Sequence, residues 1–261
     1  AQTQHVTIGA KADGTITGLR VHVDQDVGAY PAFAVHIPVW TKLMASGVYK
    51  IPKIEFSYRT IATNTTSVHA YRGAGRPEAA ALVERIMDIL AVRTGIDPVE
   101  LRRRNYIQPE DFPFATQMGA HYDSGDYEKA LDVALGMADY EVLRTEQQRR
   151  REAGESKLLG IGVASYVEVT APEGQEEWGA AEVHDDGTVT VRVGTSSHGQ
   201  GHETAFAQVA AEEFKIPYTD VTVLFGDTRL IERGGGTGGS RSLQLGGGAV
   251  REASQTVVVK A

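Results

Sequence analysis

The sequence predicts an α+β protein whose two halves resemble each other only weakly in the order of their elements, too weakly to be called a repeat. An Asp-Gly turn between alternating apolar residues is typical of a β-hairpin, and it occurs once in each half, at Asp13-Gly14 and Asp186-Gly187. Apolar residues at helical spacing follow each hairpin. The pattern changes from helical to β-like after residue 155. We therefore expect two domain parts, 1–155 and 156–261.

The first part contains a hairpin, a further strand and several helices. Ile54 to Ile61 forms the second strand pattern, and residues 28–49 and 109–121 read as loops, the former with short helical turns. Helix starts are predicted near Pro77, Asp97, Asp126 and Leu143. Two apolar helix faces are predicted, one of Leu82, Val83, Ile86, Ile89 and Leu90 and one of Ala130, Val133, Ala134 and Met137.

The second part begins with a β-like stretch from Gly160 to Thr170, followed by the second hairpin. A helix is predicted from Glu203 to Phe214, before Pro217. Its inward side consists of Phe206, Val209, Ala210 and Phe214. A strand around Val221 to Phe225 and a last helical stretch complete the chain.

Composition excludes several classes of protein. A net charge of −8 and the lack of a basic stripe argue against general nucleic-acid binding, and the run Arg144 to Arg151 reads as a solvated helix face. Without cysteine there are no disulfides, thiolate zinc sites, Cys-ligated iron–sulfur clusters or Cys nucleophiles. No apolar run approaches the roughly 18 residues of a membrane span, and no signal peptide is visible. We expect a cytoplasmic protein.

Three Gly-rich turns, each leading into a helical pattern, are the most unusual feature. They are Ala70–Pro77, Gly194–Thr204 and Gly234–Ser242. Free backbone N–H groups at a helix N-terminus favour an anion, and glycine lets the backbone approach a ligand closely. The three turns therefore predict one large anionic ligand that is held from several sides.

Familiar nucleotide and catalytic motifs do not explain these turns. Gly234 to Gly239 has the G-x-G-x-x-G spacing, but the charged residues before it do not form a buried strand. A Walker loop and a G-x-S-x-G elbow are both absent from the sequence. His202-Glu203 lacks the second histidine of a zinc protease, because position 206 is Phe. His198 and His202 without a third ligand read as polar loop residues rather than a metal site.

The turns and their flanks resemble the molybdopterin-binding large subunit of the molybdenum hydroxylase family, which includes xanthine dehydrogenase, aldehyde oxidoreductase and carbon monoxide dehydrogenase. The matching segments are Ala70–Glu78, Asp97–Asn105, Ser197–His202 and Thr237–Ser242. The resemblance runs nearly end to end. It implies parts of two molybdopterin-binding domains with mixed sheets and packed helices, with the cofactor between them. It also implies insertion of a water-derived oxygen into a C–H bond of an aldehyde or heterocycle.

The resemblance assigns cofactor contacts to all three turns. Those in the first turn, against the molybdenum–pterin end, are Arg72 and Gly73. Those that bind pterin or phosphate in the second turn are Gly199, Gln200 and Gly201. Those that line the cofactor in the third turn are Gly238, Gly239, Ser240 and Ser242. Molybdenum is held by the pterin, so no protein metal ligand is expected. The alternatives are a structural ion pair for Arg72 and only a tight turn at Gly238 and Gly239.

Departures from the family pattern bear on the substrate. Purine-oxidising members carry Phe where this chain has Ala74 and an upstream Arg where it has Trp40, so xanthine is not expected as a substrate. Members that oxidise carbon monoxide carry a copper-binding Cys at the position of Gly73, so a copper–molybdenum centre is not expected. Tyr166 completes a candidate substrate pocket with Trp40 and Ala74. Glu168 is a further candidate, with a surface strand residue as the alternative.

The resemblance also implies what lies outside this sequence. The family's general-base Glu is expected C-terminal to it and a Gly-Gly-Phe-Gly-type cofactor segment upstream of it, so residues 1–261 alone are expected to be inactive. We expect the cytosine dinucleotide form of molybdopterin, a 2Fe-2S cluster and FAD on partner subunits, and the remainder of the large subunit as a further partner. The rival interpretation is a non-catalytic binding or assembly module that keeps the fold without the cofactor.

Overall fold

The computed structural model describes residues 2–171 and 176–260. It consists of two compact units, Ala1–Glu168 and Val169–Ala261. Both combine β-sheets with helices, which confirms the α+β class. Residues 156–168 thus belong to the first compact unit, whereas the boundary near residue 155 between the two predicted domains stays a prediction.

The first unit is built on a three-stranded mixed sheet. Its strands are β1 (Gln2–Ala10), β2 (Ile16–Gly28) and β3 (Ile54–Ala62), in the order β1-β2-β3. β1 and β2 form the predicted antiparallel hairpin, whereas β3 pairs with β2 in parallel. Gly14 occupies the turn with φ of +87°, a backbone conformation that favours glycine. The apolar side of β2 faces the core, because Val21 and Val23 are fully buried.

Helices cover this sheet. They are α1 (Ile37–Leu43), α2 (Arg76–Thr94), α3 (Pro98–Arg103), α4 (Tyr127–Met137) and α5 (Tyr140–Glu152). Short 3-10 turns at Phe33–His36 and Pro109–Asp111 and a two-stranded ladder of β4 (Phe114–Ala115) and β5 (His121–Tyr122) complete the connections. Gly95 ends α2 with φ of +70°, and the Asp97 carboxylate caps α3 by accepting from the Val99 N–H at 2.8 Å.

The predicted apolar helix faces are only partly buried. On α2, Leu82, Val83 and Leu90 are buried, but Ile89 is 40% exposed, so its assignment to that face is wrong. On α4, the exposed fractions of Val133 and Met137 are 56% and 84%. The residue of α4 that is buried in the core is Leu131 instead, because α4 meets the core on a different side.

A buried polar cluster links α2, α3 and the segment after α1. The fully buried Arg102 guanidinium donates to Glu84 Oε2 at 2.9 Å and to Asp88 Oδ1 at 2.9 Å. Tyr49 Oη donates to Glu84 Oε1 at 2.5 Å. Burial and the Glu84 charge raise the pKa of Tyr49 above its ordinary range. Each charge is therefore compensated, as buried charges require.

The β-like stretch predicted from Gly160 to Thr170 does not form a paired strand among the described residues. The described residues of this stretch belong to no β-ladder, although their burial alternates between half-buried and exposed positions. Ile161, Val163 and Val167 pack against the first core. The alternation of half-buried and exposed side chains is therefore present, but the stretch has no hydrogen-bonded partner strand among the described residues.

The second unit repeats the strand arrangement of the first. Its elements are β6 (Gly179–Val183), β7 (Val189–Val193), α6 (His202–Phe214), β8 (Val221–Leu224) and α7 (Gly248–Lys260), with a 3-10 turn at Tyr218–Asp220 and a π-helical segment at Ser242–Gly247. β6 pairs with β7 antiparallel, and β8 with β7 in parallel, which confirms the second hairpin. Phe206 and Ala210 of α6 are fully buried against β7 and α7.

Candidate cofactor-binding site

The second and third Gly-rich turns cross each other in the second unit. A Cβ added to Gly194 would lie 2.4 Å from Gly234 Cα, and a Cβ added to Gly234 would lie 2.3 Å from Gly194 O. Any side chain at either position would therefore overlap backbone atoms. Glycine is required here by the close approach of two loops that are about forty residues apart in the sequence.

Three hydroxyl groups join the same two turns. The Oγ1 atom of Thr195, a residue with no exposed surface, lies 2.7 Å from Thr237 Oγ1 and 2.7 Å from Ser242 Oγ. Thr237 Oγ1 also accepts from the Ser196 N–H at 3.0 Å and donates to Ser196 O at 2.5 Å. The network therefore fixes the start of the second turn against the middle and the last residue of the third. Ser242, a predicted cofactor contact, uses its hydroxyl in this internal network.

An ion pair with little exposure to solvent stabilises the third turn from its other side. Arg241 Nη2 lies 3.2 Å from Glu177 Oε2 and donates to Glu176 O at 2.9 Å. The Glu177 carboxylate, whose side chain is 1% exposed, accepts from the Gly235 N–H at 3.2 Å. No local sequence pattern marks Glu177 as a functional residue, since its partners lie 58 and 64 positions away.

The second turn ends at the N-terminus of α6. Gly199 and Gly201 have φ of +96° and +77°, and a Cβ added to either would meet no atom within 4 Å. Glycine is thus favoured at these two positions by the positive φ and not by crowding, since the space next to each Cα is open. Gln200 is exposed, and its Oε1 accepts from the His198 N–H. An open backbone at the start of a 13-residue helix suits an anionic group.

His202 is the first residue of α6 and is 6% exposed. Its ring stacks on Phe206 with centroids 5.0 Å apart, and Nδ1 is buried without a hydrogen-bond partner among the described residues. Burial lowers the pKa of the imidazole below its ordinary value, so the neutral ring is favoured. A buried donor or acceptor without a partner is uncommon and points to a role beyond packing. The sequence pattern predicted a polar loop residue at this position, which is wrong, because His202 is buried in the first turn of α6.

The exposed part of the third turn holds the remaining predicted contacts. Gly238, Gly239 and Ser240 are exposed, and Gly239 and Ser240 have φ of +60° and +58°. Gly239 O accepts from the Ala171 N–H at 3.0 Å. A Cβ added to Gly238 would meet no atom within 4 Å. The tip of this turn is thus accessible, whereas the hydroxyl network and the Glu177–Arg241 ion pair hold the rest of the turn in place.

The first Gly-rich turn lies in the other unit, at the start of α2. Gly73 and Gly75 have φ of +92° and +86°, and a Cβ added to Gly75 would lie 2.5 Å from Trp40 Cβ. The Gly75 N–H donates to Glu78 Oε2 at 2.7 Å, which caps the helix. Arg72 is exposed at the tip, and the backbone leaves it accessible to a ligand.

Arg76 and Trp40 support this turn from below. The Arg76 guanidinium lies 5.5 Å from the Trp40 ring centroid, donates to Ala74 O at 3.3 Å and approaches Glu168 Oε1 at 3.9 Å. Burial lowers the pKa of Arg76, and the Glu168 charge opposes that shift. Arginine remains charged in proteins, so a buried cation lies directly beneath the turn.

The residues of the predicted substrate pocket have different surroundings. Trp40 packs beneath the first turn, and Ala74 is buried within that turn. Tyr166 is 69% exposed and lines a cavity of about 600 Å³ beside α4 and α5, whose lining includes neither Trp40 nor Ala74. The pocket assignment stays a prediction.

Among the described residues, no group of three or more His, Asp or Glu side chains could hold a metal ion. In the same part of the chain, no helix is both long and apolar enough to cross a bilayer.

Comparison with known proteins places the chain in a family. Two family models, each described as a molybdopterin cofactor-binding domain, match residues 1–106 and 134–261. The chain belongs to the molybdenum hydroxylase family. The expected α+β architecture with parts of two molybdopterin-binding domains is confirmed.

Individual relatives align over almost the whole chain. The carbon monoxide dehydrogenase large chain of Hydrogenophaga pseudoflava is 38% identical over 269 residues, covering 97% of this chain and 34% of the relative. The nicotine 6-hydroxylase large subunit of Paenarthrobacter nicotinovorans is 35% identical over 274 residues, covering 98% and 33%. The solved carbon monoxide dehydrogenase from Oligotropha carboxidovorans matches with a TM-score of 0.91 and 34% identity, covering 99% and 34%. The chain thus spans about one third of these relatives' length.

Proposed function

We propose that this chain is the molybdenum-cofactor-binding part of a hydroxylase that oxidises an aldehyde or an N-heterocycle with an oxygen atom from water. The observation that carries the proposal is the joined pair of Gly-rich turns at the N-terminus of α6, with open space above Gly199 and Gly201. Relatives in this family are molybdenum-dependent oxidoreductases.

The residues present fit a phosphorylated pterin. The second turn offers the N–H groups of a helix N-terminus and the exposed Gln200 side chain, and both can donate hydrogen bonds to an anion. The buried Nδ1 of His202 has no partner among the described residues, so it can take a ligand-dependent hydrogen bond. In the other unit, Arg72 is exposed on the first turn, and its contact with the cofactor is part of the proposal. When bound, the cofactor supplies the redox-active molybdenum.

The chain's own residues then bind and orient the cofactor. Gly199 and Gly201 let the backbone approach it, and the hydroxyl of Thr195 holds the second turn against the third. Gly238, Gly239 and Ser240 present the accessible tip of the third turn. The general-base Glu is expected outside residues 1–261, so the isolated part is proposed to be inactive.

The substrate proposal is an aldehyde or N-heterocycle rather than carbon monoxide. Gly73 has φ of +92°, and an added Cβ would lie 3.0 Å from Pro77 Cγ, so a cysteine in this backbone is strained. The chain has glycine at position 73 and no cysteine, so this turn offers no thiol for copper. Nicotine, the compound in one relative's name, is an N-heterocycle. The small Ala74 and the Trp40 beneath it favour a pocket unlike that of purine-oxidising members.

The proposal also covers the cofactor form, the partner subunits and the kind of substrate. We propose the cytosine dinucleotide form of the cofactor, a 2Fe-2S cluster and FAD on partner subunits, and a small-molecule substrate. Relatives named as a large chain or as one subunit of a complex support an assembly with further subunits. The cytoplasmic location stays a prediction.

The test uses the longer polypeptide that carries this sequence, matured in a host that makes the cofactor. Molybdenum is measured by mass spectrometry of the ashed protein, pterin by fluorescence after oxidation, and the nucleotide by chromatography after acid hydrolysis. We expect molybdenum and pterin in equal amounts, with CMP released. Turnover is then measured with a dye acceptor against aldehydes, N-heterocycles, xanthine and carbon monoxide, with activity on the first two only.

A matched pair of variants separates the site from the scaffold. Gln200→Ala removes one or two hydrogen bonds to the cofactor, worth about 1.5 kcal/mol, and should weaken cofactor retention roughly 10-fold. Gln208→Ala, on the exposed side of the same helix, should leave retention unchanged. Properly matured protein with neither molybdenum nor pterin would favour the rival, a binding or assembly module that keeps the fold without cofactor.

A further inference from the structure

The extended segment 160–167 in the first unit is a strand without a ladder. Its side chains alternate as in a strand: Ile161, Val163 and Val167 pack on the core, and Ser165 Oγ lies 2.6 Å from Tyr106 Oη. Among the described residues, however, its backbone N–H and C=O groups form no hydrogen bond. Such groups are normally paired when a strand packs on a core.

The exposed face of this segment is unlike a strand that faces water. Gly160, Gly162, Ala164 and Tyr166 point outward, and the eight residues from 160 to 167 include no charge. Proteins usually protect an open strand edge with charged side chains, prolines or a covering element. An unprotected edge of this kind is a template for another strand.

An apolar cavity of about 600 Å³ lies beside this segment. Its walls are α4, α5 and residues 159–166. Tyr127 Oη on its wall is buried and has no hydrogen-bond partner among the described residues. The exposed Val133 and Met137 extend the apolar character of α4 beyond the cavity. The strand edge, the cavity and the unpaired hydroxyl together form one incomplete layer.

We infer that residues 160–167 pair with a β-strand from another part of the same large subunit, and that this part of the chain also fills the cavity against α4. The occupant is assigned to the same polypeptide because the chain spans only about one third of its relatives' length. The open strand edge and the cavity lie in the first unit, and the chain aligns with those relatives over almost its whole length. The inference rests on backbone geometry and family membership, and it does not depend on cofactor binding.

The test is hydrogen exchange on the full-length large subunit, purified without its partner subunits and studied at two protein concentrations. The amides of 161–167 that face the new strand should exchange at least roughly 100-fold more slowly than in an unstructured peptide, at both concentrations. Exchange at the unstructured rate throughout would overturn the inference. Protection that appears only at the higher concentration, or only after partner subunits are added, would assign the edge to a second copy or a partner and would equally overturn it.

A photo-crosslinking residue at position 164, which is exposed, identifies the occupant directly. We expect crosslinks to peptides of the same polypeptide that lie outside residues 1–261. The matched control places the same residue at exposed position 157, outside the unpaired segment, where this peptide should not be captured. Capture of a partner-subunit peptide at position 164, in place of one from the same chain, would refute the assignment.

Discussion

The hydroxyl of Thr195 connects the second and third Gly-rich turns, so its removal should loosen the proposed cofactor site. Thr195→Val replaces the hydroxyl with a methyl of similar volume and leaves little cavity. It removes two contacts of 2.7 Å, to Thr237 and Ser242, each worth about 1 kcal/mol net. Thr237 keeps its bonds to Ser196, whereas Ser242 loses its described partner.

The expected cost is therefore about 2 kcal/mol in the free energy of unfolding, seen as a lower melting midpoint. The assay is thermal denaturation of the full-length subunit, combined with molybdenum content per chain. If the two turns hold the cofactor together, molybdenum content should fall in parallel with the midpoint.

Two further variants separate the hydroxyl from its surroundings. Thr195→Ser keeps the hydroxyl but loses the methyl that packs near Gly246, so it should retain the cofactor at a cost of about 1 kcal/mol. Thr190→Val makes the same change on β7, where the partner is the exposed His184, and should cost less than about 0.5 kcal/mol. A Thr195→Val protein with an unchanged midpoint and unchanged molybdenum content would refute the reasoning.

Three other predictions follow from the structure. Gly75→Ala should lower the free energy of unfolding by at least about 2 kcal/mol, because φ is +86° and the new Cβ would lie 2.5 Å from Trp40 Cβ. Thermal denaturation measures this, and a change below about 0.5 kcal/mol would contradict it. Arg102→Met should cost about 3–5 kcal/mol in denaturant unfolding, since it leaves the buried Glu84 carboxylate without its cation, and a change below about 1 kcal/mol would contradict this. Because burial lowers the folded-state pKa of His202, the unfolded state binds its proton more readily, so stability should be lost as pH falls below about 6.5. Melting midpoints between pH 5.5 and 7.5 should show a slope that His202→Gln reduces, and equal slopes in both proteins would count against the assignment.

Local patterns predicted most elements of the fold. The Asp-Gly turns, the cap at Asp97 and the glycine stop at Gly95 lie at the predicted places, because each depends on residues that are close in sequence. The errors concern burial: Val133 and Met137 are exposed, because helical spacing shows that a face is apolar but not which side of the helix meets the core. The stretch from Gly160 to Thr170 shows the same limit, since alternation sets side-chain direction and leaves the choice of ladder partner open.

For the candidate site, the sequence by itself determined where the three Gly-rich turns lie and that cysteine ligands are absent. It also determined that the second turn opens a helix, because β7, the turn and α6 are consecutive. Positive φ at Gly199 and Gly201 follows from the same local chemistry.

Only the tertiary structure decided how the second and third turns meet. The contacts that join them, Thr195 with Thr237 and Ser242 and the close approach of Gly194 to Gly234, link residues about forty to fifty positions apart. Glu177 acquires its role in the same way, through Gly235 and Arg241. No local propensity encodes such contacts, because they require β7, α6 and α7 to pack into one core that brings distant backbone segments within hydrogen-bonding distance.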